Sequence, residues 1–423
     1  MQAEYLQIAG SDVEIILSPA RRLNVTRGTL IRNSTRFAKI LAIDQAAKLD
    51  RRTIKSGFLT RYRVVLYRNA NFDPDRLDYS TEADGDLGPE YQLKAVELNE
   101  KGRAVDWARD SRNSLGYENG LDVPKIFQDY ERVIGSFYNK QFELDQTNLA
   151  TILVDAGGVI DLAEYLGCTS IISKTIDLSL VSEGQTLYRS IAAHPENWIN
   201  LGYRISSRMV FREALIHAVG QSSTINPDDI CEGARNVYLR KLNDIEKMKT
   251  EVNKNLVAYF PATLQKEDKS GGLVNGRSKS EYGEDVFAWM ALSFYKHWMS
   301  LSFIQGSTDE KRAHGFEIYN KTSKGGEAYL SQEQVLEFNQ LFPMTFKGKR
   351  VFADHLSSIK EEVRAFVAPL MRNCSQLDTH NYPVSSLACT EVTEEDFPWI
   401  TRKESVVDDE DSTGEESSGM SFE

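Results

Sequence analysis

Strand-like alternation in this chain is confined to four short segments before residue 99, which limits any sheet to a small one near the N-terminus. Residues 11–17 (SDVEIIL), 23–26 (LNVT), 61–68 (RYRVVLYR) and 91–98 (YQLKAVEL) read as strands. In the third, Tyr62, Val64 and Leu66 take one face, and Arg63, Val65 and Tyr67 the other. From Gly28 a helical stripe of Leu30, Ser34, Phe37 and Leu41 runs on to about Leu49. The clearest helix follows Asp122, a plausible cap, and Pro124: Ile126, Phe127, Tyr130, Val133, Ile134, Phe137 and Tyr138 form a broad apolar face. Further helices are predicted over 147–167, with Gly157-Gly158 as the weak point, and over 170–181. Beyond residue 182 the period is helical: 184–193, 195–203, 207–219, 228–259 (stopped by Pro261), 282–304, 331–341 and 351–372.

These patterns imply an α+β unit over residues 1–182, with polar insertions near 69–90 and 106–121. An all-helical remainder follows: a helical extension at 183–263, a linker at 264–280, a helical C-terminal domain at 281–400 and an acidic tail at 401–423. The length of 423 residues fits two or three structural units. No repeat of 20–50 residues points to a solenoid.

Charge narrows the choice of partner. The net charge is −12, and residues 404–423 contribute eight acids and no base, so the body is nearly balanced. A general nucleic-acid binder needs a basic field that this body lacks. The tail reads as disordered, and Ser405 and Ser412, each with an acid three residues on, fit acid-directed phosphorylation sites. Residues 286–304 are apolar enough to be mistaken for a membrane span. However, Lys296 sits near their middle, where a charge costs about 2.5–3.5 kcal/mol. Phe287, Ala291, Phe294, Tyr295 and Trp298 instead mark one face of a core helix. No secretion signal or lipid motif is visible, and the sparse cysteines Cys168, Cys231, Cys374 and Cys389 form no CxxC pair, so an intracellular, reducing setting is expected, cytoplasm or nucleus.

Catalytic signatures are missing. The sequence has no GxxxxGK[ST], no GxGxxG after a strand, no GxSxG elbow and no HExxH. The six histidines never pair at i, i+4, and Cys168 has no flanking base to activate it. The expectation is a protein without enzymatic activity, cofactor or metal. An active site would gain support only if His217 or His355 stood beside a carboxylate in a cleft.

Several of these residues carry a resemblance. Ser11, Asp12 and Val13, then Val25, Arg27, Leu30, Ser34 and Phe37, resemble the opening strands and first helix of a BTB/POZ domain. Thr26 stands where that family has a histidine, so the Asp12 carboxylate needs another donor, the Thr26 hydroxyl or a backbone N–H. Leu162, Ala163, Tyr165, Leu166 and Cys168 resemble the family's later helices, and residues 184–260 resemble its helical BACK extension in position and composition. The resemblance, closest to divergent fungal members, implies a small mixed sheet clasped by helices. It also implies a protein-interaction module that forms homodimers or recruits partners, with a cullin scaffold as the adaptor variant. Phe37, Ile40 and Leu41 would be its contact face, unless they are intrachain core. A reading of a different class makes the helical C-terminal domain the partner-binding scaffold and the N-terminal part structural.

Overall fold

A computed structural model describes residues 6–18, 21–68, 89–105, 125–144, 148–264, 279–308 and 316–400. The expected insertions, most of the linker, and the tail with Ser405 and Ser412 lie outside them. The chain divides into two compact units: Met1–Leu187 with Arg204–Ser207, and Tyr188–Tyr203 with Arg208–Glu423.

The first unit is the α+β part. Its strands β1 (Val13–Ser18), β2 (Arg21–Val25), β3 (Tyr62–Arg68) and β4 (Tyr91–Val96) form one sheet in the order β2-β1-β3-β4. β1 pairs antiparallel with β2, from Val13 opposite Val25, and parallel with β3, from Val13 beside Tyr62. β3 pairs antiparallel with β4, from Arg63 opposite Val96. Val13, Ile15, Leu17, Val64 and Leu66 are all buried, as the alternation requires. On the other face Ile16, Val65 and Val96 form a smaller cluster, and Glu14 binds Arg63 at 2.7 Å and Arg22 at 3.4 Å across the strands.

Helices α1 (Arg27–Asn33) and α2 (Thr35–Ile40) replace the single long helix suggested by the stripe. The break falls at Ser34, whose extended backbone lets its hydroxyl accept from the Phe37 N–H while donating to the Leu166 carbonyl. Asp12 caps α1 by accepting the Arg27 N–H at 2.7 Å, the backbone donor that the missing histidine made necessary. The Thr26 hydroxyl bonds Tyr138 and Thr29 instead. Arg36 lies over the Tyr165 ring, and Val25, Leu30, Ala163 and Leu166 are buried in this unit's core.

The short helix α3 (Arg51–Lys55) precedes β3, and α4 (Lys125–Ser136), α5 (Leu149–Leu166) and α6 (Thr169–Val181) complete the unit. Gly157-Gly158 does not interrupt α5. A Cβ on Gly158 would stand 2.7 Å from an Asp129 carboxylate oxygen, so the glycine lets α4 approach. Asp129 itself is buried beside Arg132, at 3.4 Å. Burial pushes its pKa up to about 6, against the pull of Lys125 and Arg132.

The second unit is helical. α7 (Gln185–Ala193), α8 (Pro195–Arg204), α9 (Arg208–Gly220) and α10 (Glu232–Ala258) match the periodic segments to within a few residues. Then come α11 (Lys279–Thr308), α12 (Phe316–Lys324), α13 (Gln332–Leu341) and α14 (Phe346–Val367). Residues 368–397 hold no helix or strand beyond one 3-10 turn at Glu394–Asp396; they form a strap held on α9 and α10 by side chains.

Buried Glu213 on α9 accepts the Ser375 hydroxyl at 2.8 Å and the Gln376 N–H at 2.9 Å. His217, one turn on, bonds the same hydroxyl at 3.0 Å. Further along the strap, Asp396 takes Arg240 at 2.7 Å and Lys241 at 2.8 Å from α10. Phe211 packs against Phe397 and Trp399. Gly220 ends α9 against the Leu387 carbonyl, and a Cβ there would stand 1.9 Å from that oxygen.

Two outcomes test this arrangement. Gly220→Ala forces a methyl into backbone, so chemical denaturation should show a loss of about 1–3 kcal/mol. Asp129 has a folded-state pKa above its unfolded value of 3.8. The folded state therefore holds the extra proton between about pH 4 and 6, and the group's contribution to stability is lost as pH rises through that window. The Asp129→Asn protein should lack this part of the pH slope in urea titrations, and an unchanged slope would refute the assignment.

Candidate interaction surface

The array α11–α14 is built on an aromatic layer. On α14, Phe352, Leu356, Ile359, Val363 and Val367 are buried at spacings of four, three, four and four. On α11, Ala288, Ala291, Leu292, Tyr295 and Met299 face inward. The predicted stripe thus holds: Ala291 and Tyr295 are fully buried, while Phe287, Phe294 and Trp298 are half-buried. Trp298 stacks on Tyr329 at 4.2 Å, Phe294 lies 4.5 Å from Phe338, and Phe338 stacks on Phe352 at 5.1 Å. Among the described residues no helix is long and apolar enough to cross a membrane.

Two lysines fix the frame. Lys360 of α14 is buried and donates to the carbonyls of Gly326 at 2.7 Å and Leu330 at 3.0 Å, closing the turn between α12 and α13. Lys296 donates to the Leu256 and Val257 carbonyls in the last turn of α10, where a cation suits the helix dipole. Burial lowers the pKa of both lysines. The Tyr259 hydroxyl, just beyond α10, donates to Glu362 at 2.8 Å.

Some apolar side chains stay outside this packing: Val286, Trp289, Leu301 and Ile304 are exposed along α11, and a denser set stands at the corner between α13 and α14. Leu336 (54%), Leu341 (77%), Phe342 (51%) and Phe346 (88%) are exposed within eleven residues. Capping sets the place: Thr345 accepts the Gly348 N–H, so α14 begins at Phe346, whose ring stands in solvent. The exposed bases Lys347, Lys349 and Arg350 follow at once. An apolar patch rimmed by charge is the form a protein-docking surface takes. Apolar periodicity alone begins this helix at 351 and leaves the corner out. Its signal was the Thr345 cap three residues before Gly348.

Elsewhere the expected site residues serve packing. Phe37 and Leu41 are fully buried in the first unit and offer no contact face, and Ile40 is half-buried. His217 does stand beside a carboxylate, but without a cleft: it and Glu213 are buried. Ser375 donates to Glu213, so His217 presents its Nε2–H to the serine oxygen and cannot accept the serine proton. Burial drops the His217 pKa to about 4 and raises that of Glu213. The cluster is a structural clasp. Among the described residues no group of three or more His, Cys, Asp or Glu side chains is arranged to hold a metal.

No curated protein and no solved structure shows a significant match to the chain. The BTB/POZ resemblance is overturned, since no model of that domain matches. Its matched residues have local reasons to be where they are: Asp12 and Ser34 are helix caps, and Val25, Leu30, Phe37, Ala163 and Leu166 are core. The family model that does match, described as an FF domain of fungal type, covers residues 261–369, the α11–α14 array, and FF domains are protein-interaction modules.

Proposed function

We propose that this protein is a helical binding scaffold whose α11–α14 array docks a partner protein through the corner formed by Leu336, Leu341, Phe342 and Phe346. The observation that carries the reading is the exposure of two phenylalanines and two leucines within eleven residues of the array. It is supported by the family match over the same residues. Aromatic side chains at such positions supply most of the energy of an interface, about 2 kcal/mol or more when one is truncated at its centre. Lys347, Lys349 and Arg350 at the rim favour an acidic partner face and faster encounter at low salt. The first unit, on this reading, is structural.

The test compares native co-purification of the full chain with that of Phe342→Ser/Phe346→Ser, quantified by mass spectrometry. Both side chains are exposed, so thermal stability should change little. Partners of the wild type should fall at least tenfold. A Leu178→Ser control alters an exposed apolar residue of the first unit and should retain them. An unchanged partner set from the double variant, or loss with the control alone, refutes the assignment.

A further inference from the structure

Two of the four cysteines meet on the strap. The Cys374 N–H donates to the Ala388 carbonyl at 2.7 Å. Covalent geometry then keeps the Cα atoms of Cys374 and Cys389 within about 7 Å, and a disulfide spans about 4.4–6.8 Å between them. Both thiols are free; Cys389 is buried and Cys374 partly exposed. Burial pushes Cys389 up to about 11, and the neighbouring Cys374 adds to that rise. Around Cys374, burial raises the pKa, Arg372 opposes it, and the carboxylates of Glu391 and Glu213 add to the rise.

Two further features favour chemistry here. No helix or strand lies between the two cysteines, so a small backbone adjustment breaks no ladder. Cys389 also lines a cavity of about 320 Å³ with Lys241, Ile245, Met248, Pro369 and Arg372. Asp244 and Glu391 also line it and Arg372 pairs with Glu391, so the cavity offers a small thiol compound space beside the buried sulfur with its charges balanced.

We propose that Cys374 and Cys389 are a modification site, forming a reversible intrachain disulfide by exchange with a small oxidised thiol such as glutathione disulfide. The Cys374 thiol loses its proton to solvent, and its thiolate attacks one sulfur of glutathione disulfide. The oxidant's S–S bond breaks, one glutathione leaves as thiolate, and a mixed disulfide remains on Cys374. Cys389 then gives up its proton and attacks the Cys374 sulfur, expelling the second glutathione. Two protein thiols are oxidised and one glutathione disulfide is reduced to two glutathiones. The closed ring contains Ser375, Gln376 and Leu387, the residues by which the strap grips α9. Oxidation therefore fixes the strap on the helix, and reduction releases that constraint.

The experiment incubates the full-length protein in glutathione redox buffers of graded poise, alkylates it under denaturing conditions and maps the peptides. The expected result is a linked Cys374–Cys389 peptide pair, a chain lighter by two hydrogens, Cys168 and Cys231 fully alkylated, and a Tm several degrees higher in the oxidised form. Cys389→Ala should instead trap glutathione on Cys374 and show no such rise. Wild-type protein that keeps both thiols free under excess glutathione disulfide, stops at the mixed disulfide, or pairs either cysteine elsewhere overturns the proposal.

Discussion

The carboxylate of Glu213 settles the problem on which the second unit depends: how to hold some thirty residues of irregular chain against helices. A helix or strand satisfies its own backbone N–H groups, whereas a strap must find acceptors residue by residue. Glu213 supplies two oxygens to one turn of it, taking the Gln376 N–H and the Ser375 hydroxyl. Burying that charge is costly, as its raised pKa records. The hydrogen bonds it accepts offset the cost only while the strap is in place, so helix and strap define each other. Asp396 repeats the device near the other end. There burial alone would raise the pKa, but Lys241, the Thr393 N–H and hydroxyl, and Arg240 together hold it below the usual carboxylate value.

Most helices beyond residue 182 are legible because their burial requirement is periodic; the nine-residue α12 (Phe316–Lys324), too short to show a clear period, is not predicted. Val363 and Val367 must repeat at the spacing of a helix that packs on one side. The strap was misread because nothing periodic marks it: residues 368–372 were assigned to the last helix, and the chain beyond them carries isolated anchors such as Leu377, Leu387 and Phe397. Ser34 shows a second limit. At helical spacing it continues the stripe, yet its hydroxyl gives the backbone a better alternative, and the helix divides there. A third limit is side-chain exposure. Phe346 and Phe352 are the same residue type on one helix, and only the packed array shows one outside and the other in the core.

The same limit explains the mistaken family likeness. A pattern such as Leu30, Ser34, Phe37 follows from helix periodicity and capping, which many folds share. The match at residues 261–369 spans a whole four-helix array and is correspondingly more specific.

That array also gives its exposed corner a physical advantage. Phe338 stacks on Phe352 and lies 4.8 Å from Phe342, so Phe342 extends a rigid aromatic layer into solvent. Lys360 pins the turn at the start of α13, and Thr345 fixes the first turn of α14. A surface whose backbone is already held in one conformation loses little further freedom on binding, so more of the apolar burial appears as affinity. In the proposed docking, rim bases would act earlier, on encounter, with an effect screened by salt while the apolar part is not. Raising ionic strength should therefore slow association at this corner far more than it speeds release. An interface built mainly on buried ion pairs would show the reverse.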